Sequence, residues 1–495
     1  MILIYFLLGL YFIFLIGVAL YGINALIMSG LFLKYRRQLQ SRPDCKQPWP
    51  SVTVQLPIFN EKYVVERLIE AVAELDYPAD RLSIQVLDDS TDETVALARA
   101  CVARHQLRGL NISHVRRPDR SGFKAGALAY GLPLAQGEFI AIFDADFVPP
   151  ADFLRKVIPH FADQAVGAVQ ARWGHLNADY DTLTRAQALA LDGHFVVEQT
   201  ARSRAGLLFN FNGSGGIWRR DCIIEAGGWQ ADTIAEDLDL SYRAQLSGWQ
   251  LKYLPDVVAP AEIPPMLTAF KRQQFRWAKG SIQCLRKNLG SVLRASLSPW
   301  QKVQAMLHLS AYLVHPLLLG MIIIGLPVIL LQDPGSLPLS ALGLAGFAPP
   351  LLFALSQWAI YPNWIQRFLY FPFLVFLGAG ITLNNTRAVF EAIFDRQATV
   401  FLRTPKFRTE RNQSGSLKRA RDYNLPVDWT TWGELGLCLY CLVEAAVAMV
   451  YAKGLAPFLI VYAIGYAYTA WMGLRQSWPR MTMVGQAQHR ATGQN

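Results

Sequence analysis

Two pairs of carboxylates stand where chemistry can be expected. Asp144 and Asp146 close the apolar stretch FIAIFDADF (139–147), and Asp88 and Asp89 end the stretch QVLDD. Neighbouring like charges repel each other, and a hard divalent cation with oxygen ligands, such as Mg²⁺ or Mn²⁺, offsets that repulsion. We therefore expect Asp144 and Asp146 to hold a cation that carries a diphosphate. The alternative is that Asp88, Asp89 and Asp146 only cap the following helices.

The segments around these acids alternate between strand-like and helix-like patterns. Such alternation predicts a mostly parallel sheet covered by helices, with ligands bound at the carboxyl ends of the strands. Asn60 and Glu61 follow the first strand and so fall at the same edge. A phosphate-binding glycine loop of the Rossmann or P-loop type is missing from the sequence, which argues against dinucleotide binding and ATP hydrolysis. Strands are predicted at 51–58, 82–87, 110–115, 138–144 and 165–171, and helices at 61–75, 91–103, from about 123, and at 152–161.

The chain is apolar for its length: 52% of its residues are hydrophobic and 17% are charged. Residues 1–33 carry no charge and are followed at once by Lys34, Arg36 and Arg37, which is typical of an uncleaved transmembrane anchor. Further apolar runs lie at 306–331, 339–360, 368–383, 434–452 and 455–475. The predicted organisation is an anchor at 1–33, a soluble domain at 38–301, transmembrane or interfacial helices at 304–383, a basic cytoplasmic segment at 384–430, a transmembrane hairpin at 434–475 and a cytoplasmic tail at 476–495.

The net charge of +10 does not indicate a nucleic-acid partner. The basic residues cluster beside the apolar runs, as expected for the positive-inside rule and for contact with anionic lipid headgroups. The six cysteines and eight histidines lack the spacing of a disulfide framework or a zinc site. The expected partner is therefore the lipid bilayer.

Two later motifs complete a series. AED contains Glu236 and Asp237, and QQFRW spans residues 273–277. The order PIFNE, LDDS, FDAD, AED, QQFRW resembles the processive family 2 glycosyltransferases, which include cellulose, mannan, chitin and hyaluronan synthases. The resemblance covers roughly residues 50–290. It implies a GT-A-like α/β domain, inserted between transmembrane helices, that inverts configuration while polymerising sugar from UDP-glucose or GDP-mannose and secretes the polysaccharide.

The resemblance also implies a role for each matching residue. An alcohol is a poor nucleophile and needs a positioned base, and a leaving diphosphate needs positive charge. In the resemblance Asp237 is that base, with Glu236 beside it, and Arg276 faces the diphosphate. The nucleotide-sugar residues are Asn60, Glu61, Asp88, Asp89, Lys124, Asp144 and Arg276; the acceptor residues are Gln273, Trp277, Gly213 and Ser214; the metal ligands, for Mg²⁺ or Mn²⁺, are Asp144 and Asp146.

The stretch FLRTPKF (401–407) resembles the gating loop of cellulose synthases. Phe401, Thr404 and Lys406 match its pattern, and Arg403 replaces a valine. The resemblance implies that Thr404 and Lys406 close over a bound diphosphate. The alternative is a basic juxtamembrane loop held by anionic lipids.

Membrane topology is constrained by the basic segment at 384–430, which the positive-inside rule places in the cytoplasm with the catalytic domain. An even number of spans must then separate the two, although three apolar runs lie between them. We expect 368–383, with Pro372, Gly378 and Gly380, to lie at the interface of a bacterial-type inner or plasma membrane.

Two alternatives to a polymerase are a lipid glycosyltransferase, similar to ceramide glucosyltransferase, and a catalytically silent binding module. The sequence leaves the sugar, the linkage and the oligomeric state open.

Overall fold

A seven-stranded sheet organises the soluble domain in the computed structural model, which describes residues 2–38, 48–331, 344–395, 404, 406–408 and 428–492, and only the backbone at 344–345 and 477–492. The strand order is β3-β2-β1-β4-β6-β5-β7. All neighbouring strands are parallel except β6, which is antiparallel to both β4 and β5. The mostly parallel sheet expected from the sequence is confirmed. The strands are β1 (Val52–Ile58), β2 (Leu82–Asp88), β3 (Ile112–Val115), β4 (Phe139–Ile142), β5 (Val166–His175), β6 (Gly216–Arg219) and β7 (Gln250–Ala261).

Helices cover both faces of this sheet, and its central strands β1 and β4 are accordingly buried on both sides. One hydrophobic core joins the sheet to α2 and α3, and a second joins it to α4, α8 and α9. The amphipathic α10 then leads from the sheet towards the membrane part. The helices of this domain are α2 (Val65–Ala73), α3 (Thr94–Leu107), α4 (Phe123–Gly131), α5 (Phe153–Val157), α6 (Thr182–Asp192), α7 (Gln199–Arg204), α8 (Arg220–Glu225), α9 (Glu236–Leu246), α10 (Leu267–Arg294) and α11 (Pro299–Leu309).

Strands β6 and β7 are absent from the sequence-based prediction. β6 has only four residues and directly follows a glycine-rich stretch. β7 contains Pro255 and Pro260, which normally argue against a strand. It lies at the edge of the sheet, and its pairing with β5 shifts register between Ala171 and Arg172. An edge position and a bulge are the two places where a strand tolerates proline, so β7 forms despite its sequence.

Four helices in the described part of the chain are long and apolar enough to cross a membrane: Ile2–Tyr35, Ala311–Leu331, Thr430–Tyr451 and Ala456–Gln476. The helices Trp364–Gly380 and Thr382–Phe394 together pass the same criteria but are bent by 45° at their junction. Whether 368–383 crosses therefore stays a prediction. The remaining helices are α1 (Ile2–Tyr35), α12 (Val314–Leu331), α13 (Ala348–Ile360), α14 (Trp364–Phe368), α15 (Phe371–Gly380), α16 (Thr382–Phe394), α17 (Thr430–Tyr451) and α18 (Ala456–Thr492).

A proline inside α12 is compensated by a neighbouring helix. Pro327 has no N–H, so the carbonyl of Ile323, four residues earlier, loses its partner within the helix. The hydroxyl of Tyr440, on α17, donates to that carbonyl at 2.7 Å. Since an unsatisfied carbonyl is costly in hydrocarbon, this contact stabilises the packing of α12 on α17.

A buried ion pair connects the soluble domain to the membrane part. Lys271, on α10, lies 2.5 Å from Glu434 on α17, and both side chains are buried. The same ammonium group donates to Thr430 at 3.1 Å. A buried pair of this kind fixes geometry because neither charge can be left alone. It sets the position of α10, which carries the QQFRW motif.

Candidate active site

A cavity opens at the carboxyl ends of β1, β2 and β4, where ligands bind in sheets of this kind. It contains about 1370 Å³ of empty space, counting the solvent at its mouth. The cavity is open to solvent and combines acidic, basic and aromatic side chains. The sequence-predicted residues that line it are Glu61, Asp89, Lys124, Asp144, Asp146, Gly213, Glu236, Asp237, Gln273, Arg276, Trp277, Thr404 and Lys406.

Asp88 and Asp89 point in different directions, since adjacent residues of an extended strand face opposite sides. Asp89 lines the cavity, and Arg117 holds both of its carboxylate oxygens at 2.6 and 2.7 Å. Asp88 is buried behind the wall and accepts hydrogen bonds from His114 and from the Ser90 N–H, each at 2.8 Å. Burial alone would raise the pKa of Asp88, but these hydrogen bonds hold it below its usual value. Asp88 therefore supports the wall, and Asp89 is the acid of this pair that lines the cavity.

Asn60 and Ser214 are not among the lining residues; Asn60 is partly exposed and Ser214 is buried. Asn60 adopts a left-handed backbone (φ 55°), which asparagine tolerates better than most residues. Its N–H donates to the Ser90 hydroxyl, and its side-chain oxygen accepts from the Thr91 N–H, both at 2.8 Å. The Ser214 hydroxyl accepts from the Asp144 N–H at 2.8 Å. These bonds join the loops after β1, β2 and β4, and contact of the two residues with a ligand stays a prediction.

The Asp144 and Asp146 pair is compensated by two lysines. The Lys124 ammonium lies 2.6 Å from Asp144, and the Lys406 ammonium lies 2.5 Å from Asp146. The other oxygen of Asp146, Oδ1, is buried and accepts no hydrogen bond from any residue that the structure describes. A buried carboxylate oxygen without a donor suits a cation ligand. Asp144 and Asp146 therefore fit a divalent cation in donor type and environment.

Asp237 lies in the first turn of α9 together with Glu236, at the end of the helix that favours negative charge. Burial, followed by the charge of Glu236, raises the pKa of Asp237 from 3.8 to about 7, although Lys124 opposes the shift. Burial alone would lower the pKa of Lys124, but Asp144, Glu236 and Asp237 raise it above its ordinary value. Asp237 thus exchanges a proton near neutral pH, which is the property that a general base requires.

Gly213 is necessary for access to Asp237. Its backbone is left-handed (φ 78°), and a Cβ at this position would lie 2.9 Å from the Asp237 Oδ2 atom. The Lys124 ammonium donates to the Gly213 carbonyl at 2.9 Å. Any larger residue at position 213 would therefore crowd the candidate base.

The motif QQFRW lies on α10, where Gln273, Arg276 and Trp277 fall on one face because they are three and four residues apart. All three line the cavity. The Arg276 guanidinium donates to the Thr404 hydroxyl at 3.0 Å. Burial holds the pKa of Arg276 below its usual value, although the nearby acids, led by Glu236, oppose this shift. The motif thus offers a cation, an amide and a flat aromatic ring to one ligand.

Residues 404 and 406–408 bring part of the gating-like loop into the site. Lys406 contacts Asp146, and Thr404 contacts Arg276, as described above. Phe407 is fully buried, and its N–H donates to Glu262 at 3.1 Å. Phe401 and Arg403 lie outside the described residues.

Several lining residues were missed by sequence reasoning. Arg120 lies over the Phe59 ring at 3.4 Å, and Trp173 donates its indole N–H to the Ser214 carbonyl at 3.0 Å. His175 and Asn212 also face the cavity. The end of β5 could have pointed to Trp173 and His175, because it is a further strand terminus of the same sheet.

Comparisons with known proteins agree with this geometry. Residues 50–280 match the family described as Glycosyltransferase like family 2. The chain is 43% identical over 261 residues to Glucomannan 4-beta-mannosyltransferase 1 of Oryza sativa subsp. japonica, covering 52% of this chain and 50% of that protein. It is 44% identical over 261 residues to Glucomannan 4-beta-mannosyltransferase 2 of Arabidopsis thaliana, covering 52% and 49%. The chain thus spans about half the length of the curated relatives it matches.

A solved structure shares the fold. It is the mannosyltransferase PcManGT from Pyrobaculum calidifontis in complex with GDP-Man and Mn²⁺, which matches with a TM-score of 0.55 at 23% sequence identity. The match covers 78% of this chain and 100% of the other. The GT-A-like fold expected from the sequence is confirmed.

Proposed function

Because residues 50–280 match the model of glycosyltransferase family 2, we propose that this protein is a processive, inverting β-mannosyltransferase that builds a β-mannan from GDP-mannose. One observation carries the proposal. An acid whose pKa is raised to about 7, Asp237, lines the same cavity as the Asp144 and Asp146 pair and Arg276. A base for the acceptor and positive charge for the leaving diphosphate are therefore available together.

In the proposed reaction each of these cavity residues has a separate role. Asp237 takes the proton of an acceptor hydroxyl, whose oxygen then bonds to the anomeric carbon of the donor sugar. The bond between that carbon and the diphosphate breaks on the opposite side, which inverts the configuration. Arg276 and Lys124 bind and orient the departing diphosphate. A divalent cation, Mg²⁺ or Mn²⁺, held by Asp144 and Asp146 would supply further charge neutralisation.

We propose that the polymer crosses the membrane between the protein's own apolar helices. We place the catalytic domain on the cytoplasmic side of a plasma or bacterial inner membrane, because sugar nucleotides are cytoplasmic and the basic segments flank the spans. The growing chain would then leave through the protein's own helices. A lipid acceptor is the second candidate, but the curated relatives are named for a polysaccharide product, which favours the polymer.

The product tests this function. Purified protein in detergent would be given radiolabelled GDP-mannose or UDP-glucose with Mn²⁺ or Mg²⁺. An ethanol-insoluble product that β-mannanase digests supports the proposal. A glucanase-sensitive product would change the donor, and a label that extracts into organic solvent would identify a lipid glycosyltransferase instead.

The reaction should depend on pH through Asp237. Its pKa lies near 7 rather than at the usual 3.8, so below pH 7 most of the base is protonated and inactive. We expect kcat/KM to rise about tenfold per pH unit up to pH 7 and then to level off, as for a single essential base. A profile from pH 5 to 9 measures this. A rate that stays flat from pH 5.5 to 8 would show that the base has an ordinary pKa.

The loop contacts give a further prediction. We expect Lys406→Ala to lower turnover in neutral detergent by about 10- to 100-fold, because a charged hydrogen bond near the diphosphate contributes roughly 1.5–3 kcal/mol. Thr404→Val should have a smaller effect, since it removes only the contact with Arg276. Initial rates at saturating donor measure both.

Lys418→Ala is the matched control for the loop, because it neutralises another lysine of the same basic segment. It should leave the rate in neutral detergent unchanged. If Lys406→Ala loses activity only in anionic membranes, the segment acts as a lipid tether and does not gate the site.

A further inference from the structure

A histidine in the cavity wall has no part in the reaction described above. His175 is the last residue of β5 and lines the cavity. Its Nε2 atom lies 2.9 Å from the Asp192 carboxylate, and the two side chains are 4% and 1% exposed. A carboxylate accepts, so Nε2 carries the proton, and Nδ1 is the ring atom left to bond another group.

The orientation of this ring is fixed by a buried polar chain. The second oxygen of Asp192 accepts from Gln357 on α13 at 3.0 Å, and Gln357 in turn accepts from Arg367 on α14 at 3.0 Å. Burial would raise the pKa of Asp192, but His175 and Gln357 hold it below its usual value. Asp192 is therefore a carboxylate that positions His175, as carboxylates position histidines in other sites.

Apolar residues line the cavity on the segments that carry His175 and Asp192 and beyond the end of the neighbouring strand β7. Trp173 is two residues earlier on the same strand, and Leu191 precedes Asp192. Ile263 and Pro264, just beyond the end of β7, line the cavity as well. Phosphate is bound by cations, which the cavity provides at Lys124, Arg276 and Lys406. An oriented polar atom beside apolar surface suits a sugar ring instead, since a sugar has hydroxyls and apolar C–H faces.

We propose that His175, oriented by Asp192, binds a hydroxyl of the acceptor polysaccharide. The proposal rests on the polymerase function above and names a residue that recognises the polymer. His175 is an acceptor-binding residue, and Asp192 and Gln357 are positioning residues that act through it. The same chain of contacts ties acceptor recognition to α13 and α14, beside the membrane helices.

The first test separates acceptor from donor recognition. His175→Phe should raise the KM for β-1,4-mannohexaose about tenfold, as expected for one lost hydrogen bond in a buried site. The KM for GDP-mannose should change less than twofold. His175→Gln keeps a polar side chain and should recover part of the loss, and Asp192→Asn should raise the acceptor KM in the same direction. An unchanged acceptor KM in all three variants overturns the proposal.

A second histidine–carboxylate pair provides the control. His105 lies 3.0 Å from Glu70, and the two side chains are 6% and 39% exposed; the pair joins α3 to α2 and does not line the cavity. His105→Phe and Glu70→Gln should leave both KM values unchanged. If they shift the acceptor KM as much as the His175 variants do, the effect is general destabilisation and the proposal fails. Melting temperatures of all variants are recorded alongside; if His175→Phe is unfolded, the Gln and Asn variants decide.

Binding without turnover distinguishes this inference from the proposed function. Mannohexaose binding would be followed by saturation-transfer NMR on wild-type protein and on His175→Phe, with no donor present. If the wild type binds the oligosaccharide but makes no mannan, the polymerase function fails while the comparison still tests His175. Weaker binding by the variant supports the inference, and equal binding overturns it.

Discussion

Replacing Asp237 with asparagine should lower mannosyl transfer by at least about 100-fold, the lower end of what a general base contributes. Asparagine keeps the size of the side chain but cannot accept the acceptor's proton. Because Asp237 is proposed to act on the acceptor hydroxyl and not to hold the diphosphate, the affinity for GDP-mannose should persist. Transfer would be measured with radiolabelled donor, and affinity by calorimetry.

Two further variants make this result specific. Asp232→Asn removes an exposed acid a few residues before α9 and should retain wild-type activity. Glu236→Gln removes the neighbouring acid, which lies 3.7 Å from Lys124. If Glu236→Gln abolishes transfer and Asp237→Asn does not, the base is Glu236. If Asp237→Asn no longer binds donor, Asp237 belongs to the nucleotide site.

The strands that sequence patterns located are those in which apolar or β-branched residues recur. β1 and β2 were placed within a few residues because Val, Ile and Leu alternate with other residues along them, and the strand predicted at 165–171 matches the first part of β5. The sequence-based prediction missed β6 and β7 for different reasons. β6 is too short to show a pattern, and the prolines of β7 are tolerated only because it lies at an edge, which is a property of the assembled sheet.

Site residues could be predicted where a short sequence motif identifies them. Their orientations and long-range contacts could not be predicted, because these depend on how the chain packs. The acid pairs could be placed at strand ends, but the sequence could not show that Asp89 faces the cavity while Asp88 faces His114. That choice depends on the direction of each side chain in the folded strand. The contact between Lys406 and Asp146 joins residues 260 positions apart. No local pattern reports such a contact; only the family resemblance of the loop pointed towards it.

The metal site should be obligatory. We expect Asp146→Asn, or excess EDTA with the wild type, to lower transfer by at least about 100-fold, because a bound cation stabilises the leaving charge by several kcal/mol. Asp146 has one carboxylate oxygen buried without a hydrogen-bond donor among the described residues, and the amide cannot replace it as an anionic ligand. Mn²⁺ binding, followed by electron paramagnetic resonance, should weaken in parallel with activity.

Electrostatics also explain why the Asp146 variant should still fold. In the structure the carboxylate pair is balanced by Lys124 and Lys406, so neutralising one acid leaves an excess positive charge at a solvent-connected cavity rather than an isolated charge in the core. Asp163→Asn, at an exposed acid outside the cavity, is the control and should match the wild type in rate, melting temperature and Mn²⁺ binding. Full turnover of the wild type in excess EDTA would show that Lys124, Lys406 and Arg276 suffice to stabilise the diphosphate, and the metal assignment would then be wrong.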